Sequence, residues 1–481
     1  MLEPLRGRRY AAIHCGPFGV LGIFFRWALV AAVSIAAPGV ASPGAKAEPT
    51  VSTFNLANGM QVVVIPDHRV PVATHMVWYR AGAADDPWGT SGIAHFLEHL
   101  MFKSTKNMKS GEFSRIITGL GGRDNAQTNY DTTFYFQRVA KQHLRTVMAL
   151  EADRMVNLRL VEEEVRSERS VIQEERRSSV DGNPVRILDE QMQAALYLNH
   201  PYGRPALGWT EEMSNLSRQD AVTFYKRFYT PINAVLVVAG DVTPEEVRSL
   251  AQTTYGLIKR SRDLAPHYRP KEPEPVAARR VRLEDARAGT ITLLRYYLVP
   301  SYPSARPGVA ESLELLARVV GGDDSSRLYR ELVAKNLASA AGSDYIGNGL
   351  DSGRMAFVIM PLPGIPPEQV EAVLDRTIAD IGVKGITQDE LDRAKSTLEA
   401  MRVFESDNQM TLARRYGEGV ALGRSIADLD DVPRRIQAIG VDDIKRVARE
   451  YLVAARSVTG TLVPPPAGET ATGAGPLATK Q

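Results

Sequence analysis

Apolar residues recur along this chain in two rhythms. Runs rich in β-branched and aromatic residues predict strands: Gln61-Val-Val-Val-Ile, Val72-Ala-Thr-His-Met-Val-Trp-Tyr and Gly289-Thr-Ile-Thr-Leu-Leu-Arg-Tyr-Tyr. Helical segments follow these openings, and a helix feeding a β-rich run closes each half of the chain. The first closure is Asp220-Ala-Val-Thr-Phe-Tyr-Lys-Arg-Phe-Tyr into Ala234-Val-Leu-Val-Val. The second is Asp443-Ile-Lys-Arg-Val-Ala-Arg-Glu-Tyr into Ser457-Val-Thr-Gly-Thr-Leu-Val.

Between the halves, the proline-rich stretch 262–278 suits neither helix nor central strand. The expected division is a first domain over 48–265, a linker over 266–278 and a second domain over 279–465. The segment beginning Pro464-Pro-Pro-Ala-Gly leads into a tail, 466–481, whose composition predicts disorder.

The halves share more than their order of elements. Gly92-Ile-Ala-His-Phe-Leu-Glu-His-Leu-Met lines up with Gly308-Val-Ala-Glu-Ser-Leu-Glu-Leu-Leu-Ala, so the chain reads as internally duplicated. His95 of the first copy has become Glu311 in the second, and His99 has become Leu315. One copy keeps the histidines and one does not.

Composition narrows the function. The 481 residues are 44% hydrophobic and 24% charged, which argues against a disordered, collagen-like or polytopic membrane chain. Lys and Arg total 58 against 56 for Asp and Glu, and a net charge of +2 gives no general push toward nucleic acid. Cysteine occurs once, at Cys15, so neither an intramolecular disulfide nor a thiolate cage can form. Any metal must be held by histidine and carboxylate.

Residues 1–47 read as an export signal. Arg6, Arg8 and Arg9 precede an apolar stretch from Trp27, and Ala45-Lys46-Ala47 gives a small-x-small cleavage pattern. An exported, periplasmic or secreted protein follows from that reading. The alternatives are an uncleaved membrane anchor and a mitochondrial presequence, and only the anchor would bring a membrane into play.

The candidate chemistry lies in His95-Phe-Leu-Glu98-His99. The helix is expected to begin near Thr90 or Ser91, both good N-caps. Four-residue spacing puts His95 and His99 on one face, where both imidazoles reach one ion, with Glu98 beside it and free to act on metal-bound water. A third ligand is sought in the charged run from Leu160 to Arg177. Its apolar stripe, Val161, Val165 and Ile172, continues through Glu168 and Glu175, while Glu162, Glu163 and Glu164 read as a solvated face. Glu174 points roughly 100° away from Glu175 by helix geometry. Glu175 is thus the expected ligand and Glu168 the carboxylate that orients a histidine.

These residues resemble the inverted zinc peptidases, the family of pitrilysin, insulin-degrading enzyme and mitochondrial processing peptidase, here of a short bacterial secreted type. Glu168-Arg169 followed by Glu175 at seven residues reproduces the family's distal spacing. Gly121-Gly122-x-x-Asn125-Ala126-x-Thr128, His200-Pro-Tyr-Gly-Arg and Thr230-Pro-Ile-Asn-Ala extend the likeness along the chain. The resemblance implies an α+β fold of two homologous domains, each an antiparallel-rich sheet backed by helices, closing as a clamshell over an unfolded peptide. It implies a metalloendopeptidase with one zinc per chain, Glu98 as general base on zinc-bound water, and Asn125 and Ala126 against the substrate. The rival reading is a non-catalytic scaffold or core subunit of the same fold.

In one respect the chain departs from the family. Self-sufficient members carry, in the second half, an Arg and a Tyr seven residues apart that hold the substrate backbone. The matching positions here fall on Val333 and on Ser339 or Ala340. The resemblance therefore implies a homologous zinc-free subunit that supplies both groups, or a homodimer. The alternative is substitution by Arg327, Tyr329 or other groups nearby.

Overall fold

The computed structural model describes residues 50–260 and 267–465. The expected leader with Cys15, the start of the linker and the tail 466–481 lie outside the described residues. From 267 to 278 the chain forms neither helix nor strand. No helix among the described residues is long and apolar enough to cross a membrane.

Among the described residues eleven strands, numbered β1–β11 in chain order, form two sheets. The first contains β1 (Ser52–Asn55), β2 (Gln61–Pro66), β3 (Val72–Tyr79), β4 (Arg123–Thr128), β5 (Thr133–Ala140) and β6 (Ala234–Gly240), in the order β1-β2-β6-β3-β5-β4. The second contains β7 (Arg279–Glu284), β8 (Thr292–Val299), β9 (Ala338–Ile346), β10 (Gly353–Pro361) and β11 (Ser457–Val463), in the order β7-β11-β8-β10-β9. Removing β1 makes the two orders identical. Each sheet is antiparallel except at one matching place, β2 beside β6 in the first and β7 beside β11 in the second. Both parallel pairs are completed by the closing helix-to-strand segments that the sequence repeats. The duplicated glycines agree as well: Gly92 and Gly308 both precede their helices in the left-handed region, at φ 88° and 81°.

Both faces of each sheet are covered, and alternation along the strands assigns each face its partner. Val62 and Val64 of β2 pack on the first half's own helices, including Ile93–Leu100 and Arg218–Phe228. Val63 and Ile65 point the other way, against Leu412, Ala413, Tyr416 and Val420 of the helix Gln409–Ala421, which comes from the second half. The second sheet returns the exchange. Leu293 and Tyr297 of β8 face the second half's own core, whereas Leu294, Tyr296 and Leu298 meet Leu188, Met192 and Leu196. Those three belong to the helix Pro184–Leu196 of the first half.

The two exchanged helices start alike. The Asn183 side chain accepts from the backbone N–H groups of Val185 and Arg186, and that of Asn408 accepts from those of Met410 and Thr411. Each helix also approaches its foreign sheet too closely for a side chain at one point. A Cβ on Gly417 would lie 2.2 Å from Nε1 of Trp78, and one on Gly460 would lie 2.1 Å from Sδ of Met192. The halves are interlocked, with the catalytic candidates facing the seam between them.

Candidate metal centre and active site

His95, Glu98 and His99 lie on the helix Ile93–Leu100, which the sequence makes apolar on nearly every other face. The helix begins three residues later than Thr90. Neither Thr90 nor Ser91 caps it: the Thr90 hydroxyl donates to the Pro87 carbonyl, and Ser91 Oγ accepts from the Trp209 N–H. The cap comes from Asp86, whose carboxylate accepts from the Gly92 N–H at 2.7 Å and the Ala94 N–H at 3.1 Å. Nothing in the local pattern signals it, because the chain must turn back through six residues to deliver the carboxylate. Burial pushes the Asp86 carboxyl up to about 8, against those two hydrogen bonds.

Glu168 and Glu175 lie on the helix Glu162–Arg176, packed across the first. Val165, Glu168 and Ile172 form its buried stripe, but Val161 is the exposed N-cap rather than part of it. Glu175 Oε2 stands 3.5 Å from Nε2 of His95 and 3.2 Å from Nε2 of His99. One donor atom from each of these residues falls within 4.8 Å of the others. Glu174 turns outward, its side chain 63% exposed and paired with Arg177.

Around these three, the groups are arranged unequally. His99 Nδ1 meets Glu168 Oε1 at 2.9 Å, and Lys103 closes on the other oxygen of Glu168. That bond leaves His99 Nε2 facing Glu175, where it makes no properly aligned hydrogen bond despite full burial. Burial drives His95 down to about 4, with the charge of His99 adding to the shift, so His95 is a neutral imidazole. Burial also lowers His99, but Glu168 and Glu175 outweigh it and raise the group to about 10. Two imidazole nitrogens and a carboxylate oxygen converging without a proper hydrogen bond are the donor set of a catalytic zinc site, which keeps one further position open. The residues present fit that ion.

Glu98 is buried beside this cluster, and burial raises its carboxyl to about 7. The Thr128 hydroxyl donates to its Oε2 at 2.5 Å, holding one oxygen while the carboxylate faces the cavity. Thr128 ends β4, the edge strand of the first sheet. Gly121, at φ 73°, and Gly122 lead into that strand, and a Cβ on Gly122 would lie 2.6 Å from Val139. Asn125 is exposed on the edge, its Oδ1 accepting from the Ala126 N–H at 2.9 Å, and Ala126 is buried. Sequence reasoning did not single out Asp86, Lys103 or the Thr128 hydroxyl. The first two lie outside the helix they serve, and only the third fell within a recognised motif.

His95, Glu98 and Glu175 open onto a cavity of about 250 Å³ that both halves line, Tyr197 and Tyr202 from the first with Arg354 and Leu422 from the second. Arg327, offered above as a substitute guanidinium, is engaged elsewhere: its Nε and Nη2 donate to Glu390 at 2.9 and 2.7 Å. Val333 is half-buried and Ser339 is exposed on β9, the edge of the second sheet.

Comparison with known proteins identifies the family of the chain. Residues 61–209 match the model of the insulinase (M16) peptidase family, and 215–398 match the model of the M16 peptidase inactive domain. The zinc protease PqqE of Helicobacter pylori is 31% identical over 418 residues, covering 86% of this chain and 93% of that protein. A crystal structure of a Helicobacter pylori protease superposes with a TM-score of 0.80 at 31% identity, over 86% of this chain and all of the other. The periplasmic protease PqqL of Escherichia coli shares the fold, with a TM-score of 0.75 at 19% identity. The match covers 88% of this chain but 48% of PqqL. The chain belongs to the M16 family of metallopeptidases, and its two-domain α+β architecture is that family's clamshell.

Proposed function

We propose that this chain is an exported zinc endopeptidase that cuts unfolded peptides, with His95, His99 and Glu175 as metal ligands and Glu98 as general base. The observation that carries the reading is the meeting of His95 Nε2, His99 Nε2 and Glu175 Oε2 beside a buried, hydrogen-bonded carboxylate. Zinc held there supplies a Lewis acid for water and the scissile carbonyl. Glu98 takes the proton from the attacking water and returns it to the leaving amine. Thr128 fixes the carboxylate for both transfers, and Glu168 keeps His99 in the tautomer that presents Nε2. The exposed edge of β4, with Asn125 and Ala126, suits an extended peptide added as a further strand. A cavity between two interlocked halves favours short or unfolded chains over folded proteins.

The groups that would hold the substrate backbone from the second half are missing at Val333 and Ser339 or Ala340, and Arg327 is committed to Glu390. A homologous zinc-free subunit that carries both groups completes the site, whereas a second copy would have to do so with residues at other positions. PqqL supports that arrangement, since this fold spans about half of its length. The deciding experiment is peptide hydrolysis by the purified chain, alone and with any co-purifying protein. Activity should be low alone and rise with the partner, stop on chelation and return with zinc. Full turnover by metal-free protein would end the zinc reading. Efficient turnover by a chain free of other polypeptides would end the heteromeric one. Zinc bound without turnover, even with the partner, would favour the scaffold instead.

A further inference from the structure

The duplication places a second cavity, of about 450 Å³, where the second half should hold the counterpart of the zinc site. Its walls are the helices Val309–Gly321, Gln388–Ser406 and Gln409–Ala421 with strand β9. In the first half the corresponding positions belong to the histidine helix, the Glu175 helix, Pro184–Leu196 and β4. The two cavities adjoin, for Asn129, Ile346, Asn348, Glu418 and Leu422 line both. Glu314 occupies the place of Glu98, but it accepts from the Tyr302 hydroxyl. Glu311, in the place of His95, is paired with Arg435 at 2.6 Å.

Where the first half gathers imidazoles, this one gathers guanidinium groups: Arg318, Arg402, Arg414, Arg415 and Arg424. Some of their donors are used. Arg414 Nη2 donates to Gln127 Oε1 at 2.6 Å, Arg415 Nη2 to the Leu429 carbonyl at 3.0 Å, and Arg424 Nε to Asp428 at 2.6 Å. Three buried N–H positions have no acceptor: Nε of Arg318, Nη1 of Arg402 and Nη2 of Arg424. Buried donors on charged groups are costly to leave unmade. Burial and the charge of Arg415 pull Arg402 below its usual range, which marks it as undercompensated. The carboxylates at hand do not cancel the cluster. Four line the cavity against the five guanidinium groups: Glu314, which accepts from the Tyr302 hydroxyl, Asp344, Glu405, and Glu418, which burial raises to about 7.

We propose that this cavity binds a small oxyanion, a carboxylate or phosphate group, received by Arg318, Arg402 and Arg424. Guanidinium forks match the paired oxygens of such groups, and the low-dielectric walls strengthen the bonds. The anion has two possible sources. It is a free ion, or it is a carboxylate of a peptide that extends from the adjoining catalytic cavity.

Calorimetry and thermal unfolding of the whole chain test this with inorganic phosphate and with succinate, against sodium chloride at equal ionic strength. Saturable binding and a rise in Tm of about 3 °C are expected with the oxyanions and not with chloride. Arg402→Met removes an undercompensated buried charge at similar volume. It should abolish the anion-dependent rise without lowering Tm in anion-free buffer, and Arg318→Met should weaken binding tenfold or more. In the Glu98→Gln chain, which leaves peptides uncut, a peptide with a free C-terminus is compared with its amide as a competitor of succinate. Tenfold stronger competition by the free acid assigns the anion to the substrate. Equal or absent competition assigns it to a free ion. No binding of phosphate, succinate or free-acid peptide overturns the proposal, as does an unchanged response in Arg402→Met. The readout is binding, so a chain that failed as a peptidase would leave this result intact.

Discussion

Glu168 Oε1 stands 2.9 Å from Nδ1 of His99, and Lys103 closes on the opposite oxygen of the same carboxylate. The contact fixes which imidazole nitrogen is left for a metal, and it does so from a residue outside the converging group of His95, His99 and Glu175. Glu168→Ala should therefore leave the fold intact while weakening zinc by about 10–100-fold, measured by competition with a chelator. Unchanged affinity would make the pair a helix-packing contact only.

Neighbouring glutamates on one helix should behave very differently. Glu175→Gln should cost most of the zinc affinity, because it weakens one of three converging donors. Glu174→Gln should cost little, since that side chain faces solvent beside Arg177. Metal content after dialysis distinguishes them. Loss of metal from the Glu174 variant would refute the assignment.

Proton transfer can be isolated from metal binding. Glu98→Gln should retain zinc near one per chain and lose about 10²–10⁴-fold in peptide hydrolysis, because an amide accepts no proton from water.

The pH profile carries a further sign. A general base must be a carboxylate to accept the proton, and burial raises the Glu98 pKa to about 7, so under the proposed role kcat/KM should climb as pH rises through the pKa of this group. The Thr128 hydroxyl favours the charged form by donating to it. Thr128→Val should shift the acid limb to higher pH and leave zinc content unchanged. An unmoved limb would separate Thr128 from the base.

The seam between the halves gives a stability prediction. Gly417→Ala puts a methyl group 2.2 Å from Trp78 Nε1, so helix or sheet must give way. A loss of about 1–3 kcal/mol in urea unfolding is expected. Since the helix belongs to one half and the sheet to the other, probes in both should report a single, shifted transition.

Much of this architecture is legible in local pattern. The β-branched and aromatic strand runs, the closing helix-strand segments and the Gly92 and Gly308 match all describe elements that repeat in the structure. The helix stripe through Val165, Glu168 and Ile172 turns Glu175 rather than Glu174 toward the histidines, and four-residue spacing juxtaposes His95 with His99. What local pattern missed depends on where segments travel. An amphipathic helix such as Pro184–Leu196 advertises an apolar face without an address, and nothing in its composition says that the face belongs on the other sheet. Asp86 supplants Thr90 and Ser91 as the cap for the same reason: a loop brings it back, and spacing rules see only contiguous residues. The arginine cluster of the second half is invisible from spacing, since five residues on several elements meet only after folding.

The traded helices bear on how such a chain arises. Two copies of a single-sheet protein, each lending a helix to the other, form a closed pair about a two-fold axis. Joining them end to end would preserve the embrace while freeing the copies to diverge. The lent helices Pro184–Leu196 and Gln409–Ala421 hold the molecule together across the join, and within matching frames one cavity holds histidines and the other arginines. Because each half's sheet is covered by the other half's helix, the chemistry of the two cavities can differ while the packing around them stays the same.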